Sequence, residues 1–197
     1  MSIDSVFSAI RSLALALLVA LTGSLVTATT VGATRSDAAG LPRCRDTQIA
    51  ITGTQLPGAA VSGGWVLRYR NVSSSACTLS GYPVVVGVVS ATGKSEMAKR
   101  ARSGALGGWE QRHPGAPKPL PIVVLRARTG VASSVVEFVA GATAQSSCPN
   151  DSRPLWFHAL WVNVPGGTRP FVLKVSMVVC SHFDANPIVP GATGSAN

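Results

Sequence analysis

The sequence predicts an all-β fold, an antiparallel sandwich of two sheets. Three observations carry that expectation. Apolar residues alternate with polar ones at a period of two in several short segments. Gly and Pro, 20 and 13 of 197 residues, punctuate the chain as turn formers. No segment sustains a 3.6-residue period, beyond a short helical turn near Ser95 to Arg102. At 46% apolar residues and this length, one domain with a proper core is expected.

The N-terminus sets the compartment. Leu13 to Val31 is apolar and small, with Arg11 just before it. Its dense part, Leu13 to Val26, falls short of the about 20 residues that a membrane span needs. Val31-Gly32-Ala33 offers the small residues of a signal-peptidase site, with Ala28 and Ala39 as alternatives and an uncleaved anchor as the competing reading. The expected divisions are a signal peptide over 1–33, a flexible leader over 34–43, a sandwich domain over 44–190 with a basic insertion over 94–121, and a flexible tail over 191–197. Removing residues 1–33 takes away Asp4 and Arg11 and leaves the net charge at +9.

Export makes the cysteines readable. Cys44, Cys77, Cys148 and Cys180 form an even set with no Cys-x-x-Cys spacing, which suits disulfides rather than zinc. Four cysteines allow three pairings. Cys44 with Cys77 and Cys148 with Cys180 close loops of similar length, and this is the pairing expected.

Ile49 and Ile51 alternate in a first strand, and Leu56-Pro57-Gly58 turns it. Next, Trp65, Leu67 and Tyr69 face one way and Val66, Arg68 and Arg70 the other. The polar run from Asn71 to Ser75 breaks this strand; Asn71 is expected to hydrogen-bond its own turn. Pro83 to Ser90 is apolar on both faces, as a strand covered on both sides would be. Pro121 to Leu125 is apolar again, and in Val131 to Val139 the residues Ala132, Ser134, Val136 and Phe138 share a face. Leu155 to Val164 carries Trp156 and Trp161, which strict alternation puts on opposite faces. Phe171, Leu173, Val175, Met177 and Val179 point inward, Lys174 and Ser176 outward. A last short strand is expected around Asn186 to Val189, for eight or nine in all.

Cys44, the Asn71-Val-Ser turn, the block Cys77-Thr-Leu-Ser-Gly-Tyr-Pro83, Gly93 and the late pair Cys148 and Cys180 together resemble the actinobacterial domain-of-unknown-function family 4232. The resemblance spans about Cys44 to Pro190. It implies an extracytoplasmic, immunoglobulin-like sandwich with two disulfides, and it carries over no activity and no catalytic residues. The basic insertion departs from the family's usual acidic-to-neutral surface.

Catalytic chemistry finds little support. His113, His158 and His182 are scattered, and only Cys180-Ser-His182 is a local pair. There is no Gly-x-Ser-x-Gly elbow. Asp46, Glu137, Asp151 and Asp184 could each meet a histidine, yet no spacing says so. Neither an enzyme nor a cofactor or metal is expected. The feature above background is the stretch from Lys94 to Arg128. It holds eight basic residues (Lys94, Lys99, Arg100, Arg102, Arg112, Lys118, Arg126, Arg128) against Glu96 and Glu110, or +6 of the net +9. Read as a long exposed loop near Trp109, it suits an anionic envelope polymer, a lipid headgroup or an acidic protein. Nucleic acid shares the electrostatics but not the compartment. A monomer is the default, and a merely solubilising loop is the bland alternative. Trp65 and Tyr82 are expected in the core.

Overall fold

A computed structural model describes residues 40–59, 62–89, 92–109, 119–140, 148 and 153–195. The expected signal peptide, most of the leader and residues 110–118 of the insertion lie outside them.

Twelve strands run through the described residues: β1 (Ile49–Ala59), β2 (Ser62–Asn71), β3 (Cys77–Ser80), β4 (Val84–Val89), β5 (Ser95–Met97), β6 (Lys99–Arg100), β7 (Ile122–Leu125), β8 (Val131–Val139), β9 (Leu155–Asn163), β10 (Phe171–Val179), β11 (Ser181–Ala185) and β12 (Val189–Pro190). The fold is a sandwich-like all-β assembly. One sheet has the order β1-β2-β8-β11-β6, with β12 beside β11 on the same edge of β8. The second has the order β10-β9-β4-β5, and β3 and β7 form a small third ladder.

Leu67, Tyr69, Leu125, Val136, Leu160 and Val162 are fully buried between the sheets. The alternation of β10 holds, with Val175, Met177 and Val179 in the core. Phe157 packs edgewise on Phe183, ring centroids 5.1 Å apart. Its ring also covers Gly87, where any side chain would collide with it. Both disulfides form as expected, Cys44–Cys77 and Cys148–Cys180, and no cysteine is free. Fully oxidised cysteines suit an extracytoplasmic compartment.

Several local expectations are corrected. Leu56-Pro57-Gly58 does not end β1; the strand runs on to Ala59 with a register shift that leaves Pro57 without a partner on β2, a position where an edge strand tolerates proline. The helical turn near Ser95 is absent: β5 pairs with β4 in one sheet, and β6 pairs in parallel with β11 in the other. The start of the insertion is therefore a strand crossing between sheets, not a free loop. Such two- and three-residue strands are too short to show a period. Of the strand expected around Asn186 to Val189 only its end is found, as β12; residues 186–188 are not strand, and β11 before them is not expected from the sequence, because a register shift beside His182 (φ 52) hides its alternation. β4 is not covered on both sides, because Val84 and Val86 are only half buried on its outer face.

The outer face of β8 is covered instead. All seven residues from Ala132 to Phe138 are buried. Residues 191–195, expected as tail, lie against this strand. Ser133 Oγ donates to Gly191 O and accepts from Gly194 N, both at 2.8 Å. Arg68 Nε donates to Ala192 O at 2.9 Å, and Gly108 N donates to Gly194 O at 3.2 Å.

Candidate interaction surfaces

Among the described residues, four of the six exposed large apolar side chains, Met97, Trp156, Trp161 and Val172, lie on the β10-β9-β4-β5 sheet. The register places Val172 beside Trp161, Trp161 beside Val86, and Val86 beside Met97. Directly paired residues share a face, so these four form one row across four strands, about 14 Å long. Val172 and Met97 are 61% and 62% exposed, and Trp161 is 44% exposed. Trp156, also 44% exposed, stands opposite Val178 at one end of the same face.

That placement corrects the expectation of opposite faces for the two tryptophans. Phe157 and Leu160 both point into the core, which strict alternation forbids over that spacing. A register shift at His158 absorbs the extra residue: Val88 pairs with Ala159 and Val89 with Phe157, so His158 has no partner on β4. The bulge reverses the parity and turns Trp156 to the side of Trp161.

The basic residues do not gather into one patch. Lys94, Lys99 and Arg100 are exposed along the β5–β6 crossover. Arg100 lies over the ring of Tyr82, 5.8 Å from its centroid, so Tyr82 is a half-buried surface aromatic rather than a core one. Arg102 is half buried beside them, and Trp109 N donates to its carbonyl at 2.8 Å. Arg126 and Arg128 sit instead at the turn before β8, where Arg70 Nε donates to Arg128 O at 3.3 Å. Arg100 pairs with Ala185 at the level of Val136, and Arg70 with Val131, which separates the groups by about 17 Å of strand. Arg112, Lys118 and His113 lie outside the described residues. Trp65 packs partly buried against the core, as expected.

Glu137, which the sequence offers only as one carboxylate that could meet a histidine, has a burial that the sequence does not announce. It sits on the outer face of β8, only 8% exposed, beneath residues 104–107. Gly104 lies so close to its carboxyl group that a side chain there would push the carboxyl aside. Burial pushes its pKa above the ordinary range, the backbone N–H groups of Leu106, Ala105 and Gly107 pull it back, and Asp184 adds to the rise. Glu137 Oε1 has no hydrogen-bond partner. The cross-strand pairing of Glu137 with Asp184, and of Asp184 with Lys99, continues this row to the crossover. No signal in the sequence marks the site, because Gly104 to Gly107 reads as ordinary loop. His158 and His182 are both exposed, each beside a register shift. Asp46 Oδ2 accepts from Thr168 N and Arg169 N, both at 3.0 Å, and so closes the β9–β10 turn.

A family model described as Domain of unknown function (DUF4232) matches residues 44–188. The matched span takes in β1 to β11 and both disulfides, and it stops before β12. No curated protein and no solved structure matches the chain.

Proposed function

The chain belongs to the DUF4232 family, which is defined by a domain and not by an activity, and from that premise we propose that it is an exported, non-catalytic binding module holding an anionic component of the cell envelope. The observation that carries this reading is the β5–β6 crossover. It fixes Lys94, Lys99 and Arg100 in water at the edge of the fold, in a chain of net charge +9. Cations held on paired strands keep their spacing, so a polyanion meets a preformed array rather than a floppy loop. The two disulfides support the extracytoplasmic setting.

Retention on isolated envelope material is the test. The chain should be held at low salt and released as salt rises. Lys99→Glu with Arg100→Glu should weaken retention by about tenfold, the order expected when two close cation contacts become repulsive. Retention indifferent to both salt and charge reversal rules the reading out.

A further inference from the structure

We infer that the outer face of the β10-β9-β4-β5 sheet docks on a lipid bilayer rich in anionic headgroups. The inference rests on the reading of an anionic envelope partner and names that partner's class.

Four observations converge on it. First, the exposed apolar residues are contiguous: Val172, Trp161, Val86 and Met97 are neighbours by strand register, not scattered side chains. Contiguous patches of this kind mark an interface, whereas single exposed apolar residues do not. Second, the same face carries two half-exposed tryptophans, Trp161 within the row and Trp156 five residues from it along β9. The indole ring prefers the boundary between headgroup and hydrocarbon, where its body is apolar and its N–H stays wet. Third, cations flank the row at both ends. Lys174 stands on β10 two residues from Val172 and is exposed on the same side, while Lys94 is exposed just before β5 and Met97 at the other end. Fourth, Glu96 is the one carboxylate on these four strands, and it pairs with Gly87 on the opposite parity from Met97. An apolar stripe rimmed by cations on a face without carboxylates is complementary to an anionic lipid surface, which offers hydrocarbon and negative headgroups together. A purely polar wall polymer would use the cations and leave the row in water.

The bulge at His158 is what builds this face. Without it Trp156 would point into the core side, and one tryptophan alone would remain outside.

The test uses the chain as isolated from the cells that make it, with vesicles of phosphatidylcholine alone or in equimolar mixture with phosphatidylglycerol. Val172→Glu with Met97→Glu changes the two most exposed residues of the row and touches no core contact. A second variant, Trp161→Ser, probes the ring itself. All variants keep the same N-terminus, so differences between them report on the sheet face. The expected result is binding to the anionic vesicles, quenching of tryptophan fluorescence by brominated acyl chains, and a loss of more than about tenfold in each variant. Binding that charge reversal at Lys99 and Arg100 abolishes, but that the row variants leave unchanged, overturns the docking face and leaves the anionic reading standing. Retention on delipidated wall polymer with none on vesicles does the same. Binding to neither material overturns both.

Discussion

The Tyr69 hydroxyl lies 2.9 Å from Ser134 Oγ, and both side chains are fully buried between β2 and β8. Burial pushes the phenol far above its ordinary value near 10, and the Ser134 hydrogen bond pulls back only part of that rise. Below that ordinary value the phenol is neutral in folded and unfolded chains alike, and stability is untouched. Above it the unfolded chain releases a proton that the folded chain keeps, so stability falls as pH rises. Tyr69→Phe should remove this alkaline loss. It should also cost about 1–3 kcal/mol at neutral pH, because Ser134 is left buried without its partner. Urea denaturation of both proteins across the alkaline range reads the two effects separately.

Glu137 makes a prediction of the same sign at lower pH. Its folded pKa is raised, so the folded chain binds its proton more tightly than the unfolded chain does. Its contribution to stability is fullest below the ordinary glutamate value of 4.5 and is lost as pH climbs through the raised one. Glu137→Gln cannot titrate. The stability of the wild type relative to that variant should therefore fall across this window, measured by denaturant unfolding at matched pH. A constant difference between the two would mean that the carboxyl group is not desolvated.

Asn71 is completely buried, with each polar atom engaged. Nδ2 donates to Ser75 O at 2.8 Å and to Leu125 O at 3.1 Å, while Oδ1 accepts from Ser73 N at 2.9 Å and Ser73 Oγ at 2.8 Å. Asn71→Ala should destabilise the fold by more than about 2 kcal/mol, since several partners lose their bond at once. Calorimetry should show it as a lowered Tm with the disulfides intact. The same bonds occupy the amide nitrogen, so the Asn71-Val-Ser sequon should remain unmodified even in a glycosylating host.

Gly87→Ala tests the packing of Phe157. The added methyl meets the ring directly, and the ring is itself packed against Phe183. Overpacking of this kind costs about 1–3 kcal/mol. The double variant Gly87→Ala with Phe157→Leu should recover part of the loss, which thermal melts of the three proteins would show.

The disulfides should contribute unequally to different parts of the chain but similarly in size. Their separations in sequence are 33 and 32 residues, and each removes about 3–4 kcal/mol of loop entropy from the unfolded state on the chain-entropy model. Replacing Cys44 and Cys77 by Ser should lower stability by that order, measured under non-reducing conditions beside the Cys148 and Cys180 replacement.

The strands that read most clearly from sequence are those whose period is unbroken. In β10 alternation alone places Met177 inward and Lys174 outward; the even cysteine count left three pairings open, and the one with loops of similar length is the one found. The candidate surface was illegible for a definite reason. A bulge changes parity without changing composition, so Trp156 and Trp161 read as opposite when they are not. The cations of 94–128 look like one cluster because they are close in sequence, but β8 holds Arg128 and Arg100 at different heights. Docking of residues 191–195 was hidden because it runs largely through backbone atoms, for which Gly, Ala and Ser give no pattern.

That docked segment has a consequence for the order of folding. Ser133 can pair with β2 as soon as β8 is made, but its outer side has no partner until residues 191–195 arrive. A chain synthesised from its N-terminus therefore covers this part of β8 only after residues 191–195 have followed β12. Until then Ser133 lacks the backbone partners that residues 191–195 bring, and an unpaired strand face of this kind makes the interval before closure a stage open to misassembly.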